Sequence, residues 1–188
     1  MGIFNIFFKM LRFFFLISFS FLISSENCLA QDLDIFFIKL KEAKNETIAK
    51  EYEEKIWNYW LNNTLSEKNK KLMQKGINLM EQGKLDKALD LYQNLNKSEP
   101  NWAEPLNKMA TIKYLQGDFY GSIIDIGLTL KLEPRHFGAI SGLAQINFAL
   151  GRYDESLKNI NFVSEIHPHI GILKLKSIIL DLLKKQEI

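Results

Sequence analysis

The sequence predicts an all-α fold of three stacked helix pairs, and three observations in the same phase predict it. Gly83, Gly117 and Gly151 stand 34 residues apart, and Pro100, Pro134 and Pro168 keep the same step. With Asn69, Ala103 and Phe137 as first positions, the eighth and twentieth positions are small in every unit: Gly76, Ala110 and Ala144, then Ala88, Ser122 and Ser156. A glycine closes a helix at least cost because a left-handed residue without a Cβ is unstrained. Small residues at two fixed positions let the two helices of a unit cross closely, and a proline beyond the second helix ends it. A step of this length is that of a helix–turn–helix solenoid, whose units present a surface and do not converge on a reaction centre.

The elements follow in order along the chain. Residues 1–30 read as a secretory signal peptide. Lys9 and Arg12 precede the apolar run Phe13–Ile23, and Cys28-Leu29-Ala30 places small residues at the −3 and −1 positions of a cut after Ala30. The apolar run is shorter than the ~20 residues of a spanning helix. Export to the periplasm is therefore expected, with an uncut inner-membrane anchor as the alternative and Met10 as an alternative start. Glu26 and Asn27 before Cys28 do not suit a lipoprotein cleavage site. Because Cys28 is the single cysteine, the mature chain would use neither disulfides nor thiol chemistry.

Residues 31–66 are expected to form two helices that cover the first face of the array. Leu33, Phe36, Phe37 and Leu40 share one face, and Ile48, Tyr52, Ile56 and Trp60 share another, with Trp57 beside them. Asn45-Glu46-Thr47 breaks the two apart. Residues 67–188 form the repeat domain, with units at 69–102, 103–136 and 137–170 and a closing helix at 171–187. Within the units, the fourth position is Leu72, Leu106 or Ile140. The seventeenth is Leu85, Phe119 or Tyr153, and the twenty-fourth is Tyr92, Ile126 or Ile160. Asp86 and Asp154 stand where the second helix needs an N-cap, and Asp118 stands two places early. Ile172, Leu175, Ile179 and Leu183 give the closing helix its apolar face.

This pattern resembles the tetratricopeptide repeat family over residues 69–169, which implies a right-handed α–α superhelix. Leu79, Lys113 and Asn147 stand where the family usually has an aromatic, and Leu95, Thr129 and Val163 where it usually has alanine. A narrower resemblance rests on Gln31-Asp-Leu-Asp, Ile56-Trp57-Asn58-Tyr59-Trp60 and Glu133-Pro134-Arg135-His136-Phe137-Gly138-Ala139. These segments are similar to those of secreted alphaproteobacterial three-repeat proteins without an assigned activity.

Charge and chemistry exclude other classes. The 24 basic and 22 acidic residues nearly balance, and no block of one sign indicates nucleic acid or an anionic membrane as partner. No phosphate-binding glycine loop, zinc spacing or nucleophile elbow occurs, so no enzyme, cofactor or metal is expected. His136, His167 and His169 read as exposed turn residues. A metal site built on His167 and His169 is a remote alternative.

The resemblance implies a peptide groove lined by positions 2, 5, 9 and 12 of each first helix. The candidate residues are Met73, Ile77 and Met80; Asn107, Thr111 and Tyr114; and Gln145 and Phe148. Met80, Tyr114 and Phe148 form a stripe at the 34-residue step, with Asn107 and Gln145 placed to hydrogen-bond a peptide backbone. The carboxylate clamp of chaperone-binding repeats is not matched, since Met73, Ile77, Gly138 and Gly142 cannot hold an anion and only Lys108 fits. The expected function is an exported scaffold that binds a protein or peptide of unidentified sequence.

Overall fold

A computed structural model describes residues 32–186, which leaves the expected leader, Cys28 and the cleavage site outside the described residues. The described residues are helical throughout, without strands: α1 (32–41), α2 (Glu46–Asn62), α3 (Glu67–Glu81), α4 (Leu85–Ser98), α5 (Ala103–Leu115), α6 (Phe119–Leu132), α7 (Phe137–Ala149), α8 (Tyr153–Ile166) and α9 (Leu175–Gln186). A 3₁₀ turn, Gly171–Lys174, leads into α9. The three pairs α3–α4, α5–α6 and α7–α8 stack in chain order, and α9 packs on α8.

Each pair is joined by one hydrogen-bonding scheme used three times. Gly83, Gly117 and Gly151 adopt φ of 70°, 81° and 72°. Their N–H groups donate to Met80, Tyr114 and Phe148, and the following N–H groups donate to Leu79, Lys113 and Asn147, all within 3.0 Å. This double closure satisfies the last carbonyls of the helix, and only a glycine takes its backbone shape without strain.

The caps of the second helices correct the sequence reading. Asp118 is the N-cap of α6 and accepts from the Gly121 N–H at 2.8 Å. Lys84 and Arg152 hold that place in α4 and α8 without a side-chain cap. Asp86 and Asp154 lie inside the first turn, where a carboxylate meets the helix dipole but not the capping geometry. Asp86 instead accepts from Gln116 of the next unit, at 2.8 Å.

Small residues face large ones as the register predicts. A Cβ on Gly76 would lie 2.6 Å from the Tyr92 hydroxyl oxygen, so the bare backbone is what admits that buried ring. Ser122 and Ser156 donate to the carbonyls of Ala110 and Ala144 at 2.8 Å, which satisfies buried hydroxyls across each helix pair. Lys113, at an unusual place for a cation, reaches Asp125 at 2.6 Å.

The N-terminal helices reach beyond the first unit. They run as a strap along the turns that leave all three pairs. Trp102 at the first turn donates its indole N–H to the Trp60 carbonyl (2.7 Å). His136 at the second turn stacks on Trp60, with ring centroids 4.0 Å apart and planes 9° from parallel. At the third turn His167 reaches Glu53 (3.2 Å) and His169 reaches the Ala43 carbonyl (2.9 Å). One apolar cluster joins Leu33, Phe37, Leu40, Ala49, Ile56 and Trp60 of the strap to Phe137, Ile140 and Val163 of the third unit. Ile48 is exposed, because the inward face of α2 runs through Ala49. Asn45 caps α2 through the Ile48 N–H, which fixes the break between the two helices.

The three segments of the narrower resemblance meet in this seam. Arg135 pairs with Asp34 (2.6 Å) and lies 4.1 Å from the Phe37 ring centroid, and Phe137 packs edge-on against Trp57. At the other end, Ile179 is buried with Ala144 and Ile160, flanked by Ile172, Leu175 and Leu183.

Candidate functional site

The open part of the concave side lies between α5 and α7, the first helices of the second and third units. It is a hollow of about 150 Å³ lined by Asn107, Thr111 and Tyr114 on one wall and Gly138, Ser141, Gly142 and Gln145 on the other. Ala110, Ala139, Ser122, Ile126 and Ile146 make its floor. None of the lining residues is charged. Gly138 and Gly142 are one turn apart on α7, and the backbone is bare at Gly142. The hollow thus offers hydroxyls, an amide and accessible helix backbone over an apolar floor.

Of the residues expected to line a groove, Asn107, Thr111, Tyr114 and Gln145 come together here. Thr111 and Gln145 are exposed. Asn107 is nearly buried, and its amide donates to Glu104 at 3.2 Å. The other candidates lie elsewhere. Met73 is buried in the first unit's core, where its carbonyl accepts from the Tyr92 hydroxyl, so its side chain is removed from any surface. Ile77 and Met80 are half-buried in the same cluster.

Phe148 leans on Tyr153, as Tyr114 leans on Phe119, with centroids 5.7 and 5.6 Å apart. Tyr114 and Phe148 therefore pack within their own units, each against the large residue that opens the second helix, while Met80 is half-buried against the first core cluster. Tyr114 alone of the three also borders the hollow. Gly138 and Ser141, at positions 2 and 5 of the third unit, also border it as the groove register expects, while Ala110, Ser122, Ile126, Ala139, Gly142 and Ile146 were not selected.

One end of the hollow is closed by the strap. Trp57 lies against Gly138, where an added Cβ would come within 2.6 Å of the indole. Beneath it sits a buried polar group. Glu104 is fully buried and pairs with Lys108 at 3.0 Å, whose ammonium also lies 5.4 Å from the Trp57 ring centroid. The second oxygen of Glu104 accepts from His136 Nε2 at 3.0 Å. The Ala139 N–H donates to His136 Nδ1, so the imidazole carries its proton on Nε2 and serves as N-cap of α7. Burial pushes the Glu104 pKa up, but the Lys108 charge and the His136 hydrogen bond outweigh it and hold the carboxyl below its ordinary range. Lys108 is thus committed, which removes the single residue that matched a carboxylate clamp.

The histidines are not exposed turn residues. His136 and His167 are buried and His169 is half-buried. The strap supplies acceptors to His167 and His169, whereas His136 donates to Glu104 of α5 and is covered by the stacked Trp60 ring of the strap. His167 and His169 point to different partners, Glu53 and the Ala43 carbonyl, and among the described residues no three His, Cys, Asp or Glu side chains gather as metal ligands. Among the same residues, no helix is long and apolar enough to cross a membrane.

Comparison with known proteins gives one sequence relative of clear standing. The chain is 33% identical over 138 residues to a TPR repeat-containing protein of Rhizobium etli, covering 73% of this chain and 67% of that protein. No protein-family model matches. Among solved structures, the first TPR of Spaghetti (RPAP3) bound to the HSP90 peptide SRMEEVD superposes with a TM-score of 0.60 at 25% identity, over 63% of this chain and 95% of that one. The first TPR domain of human RPAP3 gives 0.58 at 25% identity, over 62% and 92%. The thrice-repeated glycine closure, the small-against-large register of the helix pairs and this relative agree: the chain belongs to the tetratricopeptide repeat family.

Proposed function

We propose that this protein is an exported scaffold that binds an uncharged segment of a partner protein in the hollow between α5 and α7, and that it works by binding and not by catalysis. The observation that carries the reading is the lining itself. Thr111, Ser141 and Gln145 stand above a floor that includes Ala110 and Ala139, with no charged side chain among the lining residues. Such a surface suits backbone hydrogen bonding to an extended peptide whose side chains are small or apolar. A structurally similar TPR domain holds a peptide from another protein, which supports the same use of this fold. That peptide carries acidic residues, and the neutral hollow here favours a different sequence.

Export rests on residues 1–30, where a charged flank, a short apolar run and a small-residue cleavage site follow in order. Sequencing the N-terminus of the protein purified from its own envelope tests this. Gln31 as first residue supports periplasmic release, and an intact Met1 or Met10 overturns it in favour of an anchored form.

The binding reading is tested with a photo-crosslinking amino acid at Gln145, or at Asn94 on the far side, in cells. Crosslinks to one protein from Gln145 and none from Asn94 are expected. They should vanish in Gly142→Leu, which fills the hollow. A Cβ at Gly142 meets only Ile126 at 3.6 Å, so that variant is expected to fold. Equal crosslinking from both sites, or crosslinks that survive Gly142→Leu, would rule the hollow out.

A further inference from the structure

Helix α6 carries apolar residues on two sides, and among the described residues only one of them is covered. Its inner face buries Ile126 and packs Phe119, Ile123 and Leu130 against the core, around the buried polar side chains of Ser122, Asp125 and Thr129. Its outer face carries Tyr120, Ile124, Leu128 and Leu132 in successive turns, exposed by 66%, 63%, 40% and 40%. The same four places hold Asp86, Asp90, Asn94 and Ser98 in the first unit, the polar pattern of a solvated face. In the third unit they hold Asp154, Lys158, Phe162 and Ile166, and Phe162, at the place of Leu128, is 50% exposed. A helix with apolar side chains on two faces is normally covered on both.

Gly127 lies beside the exposed stripe. A Cβ there would meet nothing within 4 Å, so no contact among the described residues asks for a glycine that costs the helix about 1 kcal/mol. The bare position does let a second helix backbone come close.

We propose that this face pairs with the same face of a second copy of the chain, α6 lying antiparallel to α6 about a twofold axis. Charge identifies the occupant. Asp118 is exposed at the start of the stripe, and Lys131 is exposed at its end without an ion pair among the described residues. An antiparallel pair centred near Ile126 sets Ile124 opposite Leu128 of the second copy and Tyr120 opposite Leu132. It brings each Lys131 toward the other copy's Asp118. The surface is thus complementary to itself, as a twofold contact requires. A 14-residue helix is about 21 Å long, so the stripe with Phe162 gives a contact of roughly 1,000 Å² in total, at the lower end of specific interfaces. The dimer is accordingly a dissociable one.

Sedimentation velocity on the protein expressed from its full sequence, and purified as the cell leaves it, tests the pairing from about 1 to about 300 µM. A monomer–dimer equilibrium with its midpoint in the range of about tens of micromolar is expected. The double variant I124D/L128N gives α6 the residues that α4 carries at the same places. It should stay monomeric throughout, with unchanged helical content and melting temperature at low concentration. Lys131→Glu should weaken association by about three- to tenfold, and added salt should weaken the unaltered protein. A protein that remains monomeric at the highest concentration overturns the proposal and leaves the face to a lipid surface or another protein. A dimer that survives I124D/L128N places the contact elsewhere, and one insensitive to Lys131→Glu overturns the antiparallel register.

Discussion

Glu104 and Gly76 show how single residues hold this array together by opposite means. Glu104 is a carboxylate without solvent, neutralised by Lys108 and hydrogen-bonded by His136 and Asn107. Removing it leaves the Lys108, His136 and Asn107 donors without their buried acceptor. Glu104→Ala is expected to lower unfolding free energy by about 3–5 kcal/mol in denaturant titration. Gly76 acts by lacking atoms. Its Cβ would strike the buried Tyr92 ring, so Gly76→Ala should cost about 1–3 kcal/mol despite the better helix propensity of alanine. Adding Tyr92→Leu should recover part of that loss, a non-additivity that independent sites would not show. The Gly76 effect was legible from phase alone, since position eight is small in all three units. The Glu104 cluster was not, because nothing in a sequence says that a glutamate and a lysine of α5 and the histidine that caps α7 will share one buried space.

At the scale of elements, the second helices differ in how their first turns are satisfied. Asp118 caps α6 with its side chain, while Asp86 and Asp154 lie within the first turns of α4 and α8. Asp118→Ala should therefore lower the melting stability by about 1 kcal/mol, and Asp154→Ala by about 0.3–0.5 kcal/mol from the helix dipole alone. Equal losses would mean that the cap contributes no more than the dipole. The glycine that ends each first helix could be read directly, because its conformational demand is local. Cap identity could not, because a shift of two residues along the chain decides it and boundaries are set by the crossing of the pair.

At the scale of the whole molecule, the strap is what makes three units and two preceding helices one body. Trp57, Trp60 and Trp102 all lie in or beside the seam, so tryptophan emission reports its closure. Glu53 is held below its ordinary pKa mainly by the His167 hydrogen bond, against the opposing effect of burial, and Glu104 is also held low. A carboxyl depressed in the folded state contributes stability that is fully present above its unfolded pKa and is lost as pH falls through the folded one. The seam should therefore be stable down to about pH 5 and weaken below about pH 4, seen as a red shift of tryptophan emission. Glu53→Gln should make that acid loss shallower, and an unchanged pH profile would remove the Glu53–His167 contact from the account.

By itself the sequence determined the repeat. Its period, its glycine closures and its small-against-large positions are local or near-local demands, enforced by backbone sterics within a unit of 34 residues. Tertiary structure alone decided where the strap runs, which histidines are buried and which candidate side chains remain on the surface. Those outcomes depend on contacts between residues as far apart as Asp34 and Arg135 or Glu53 and His167, and periodicity carries no record of such pairs.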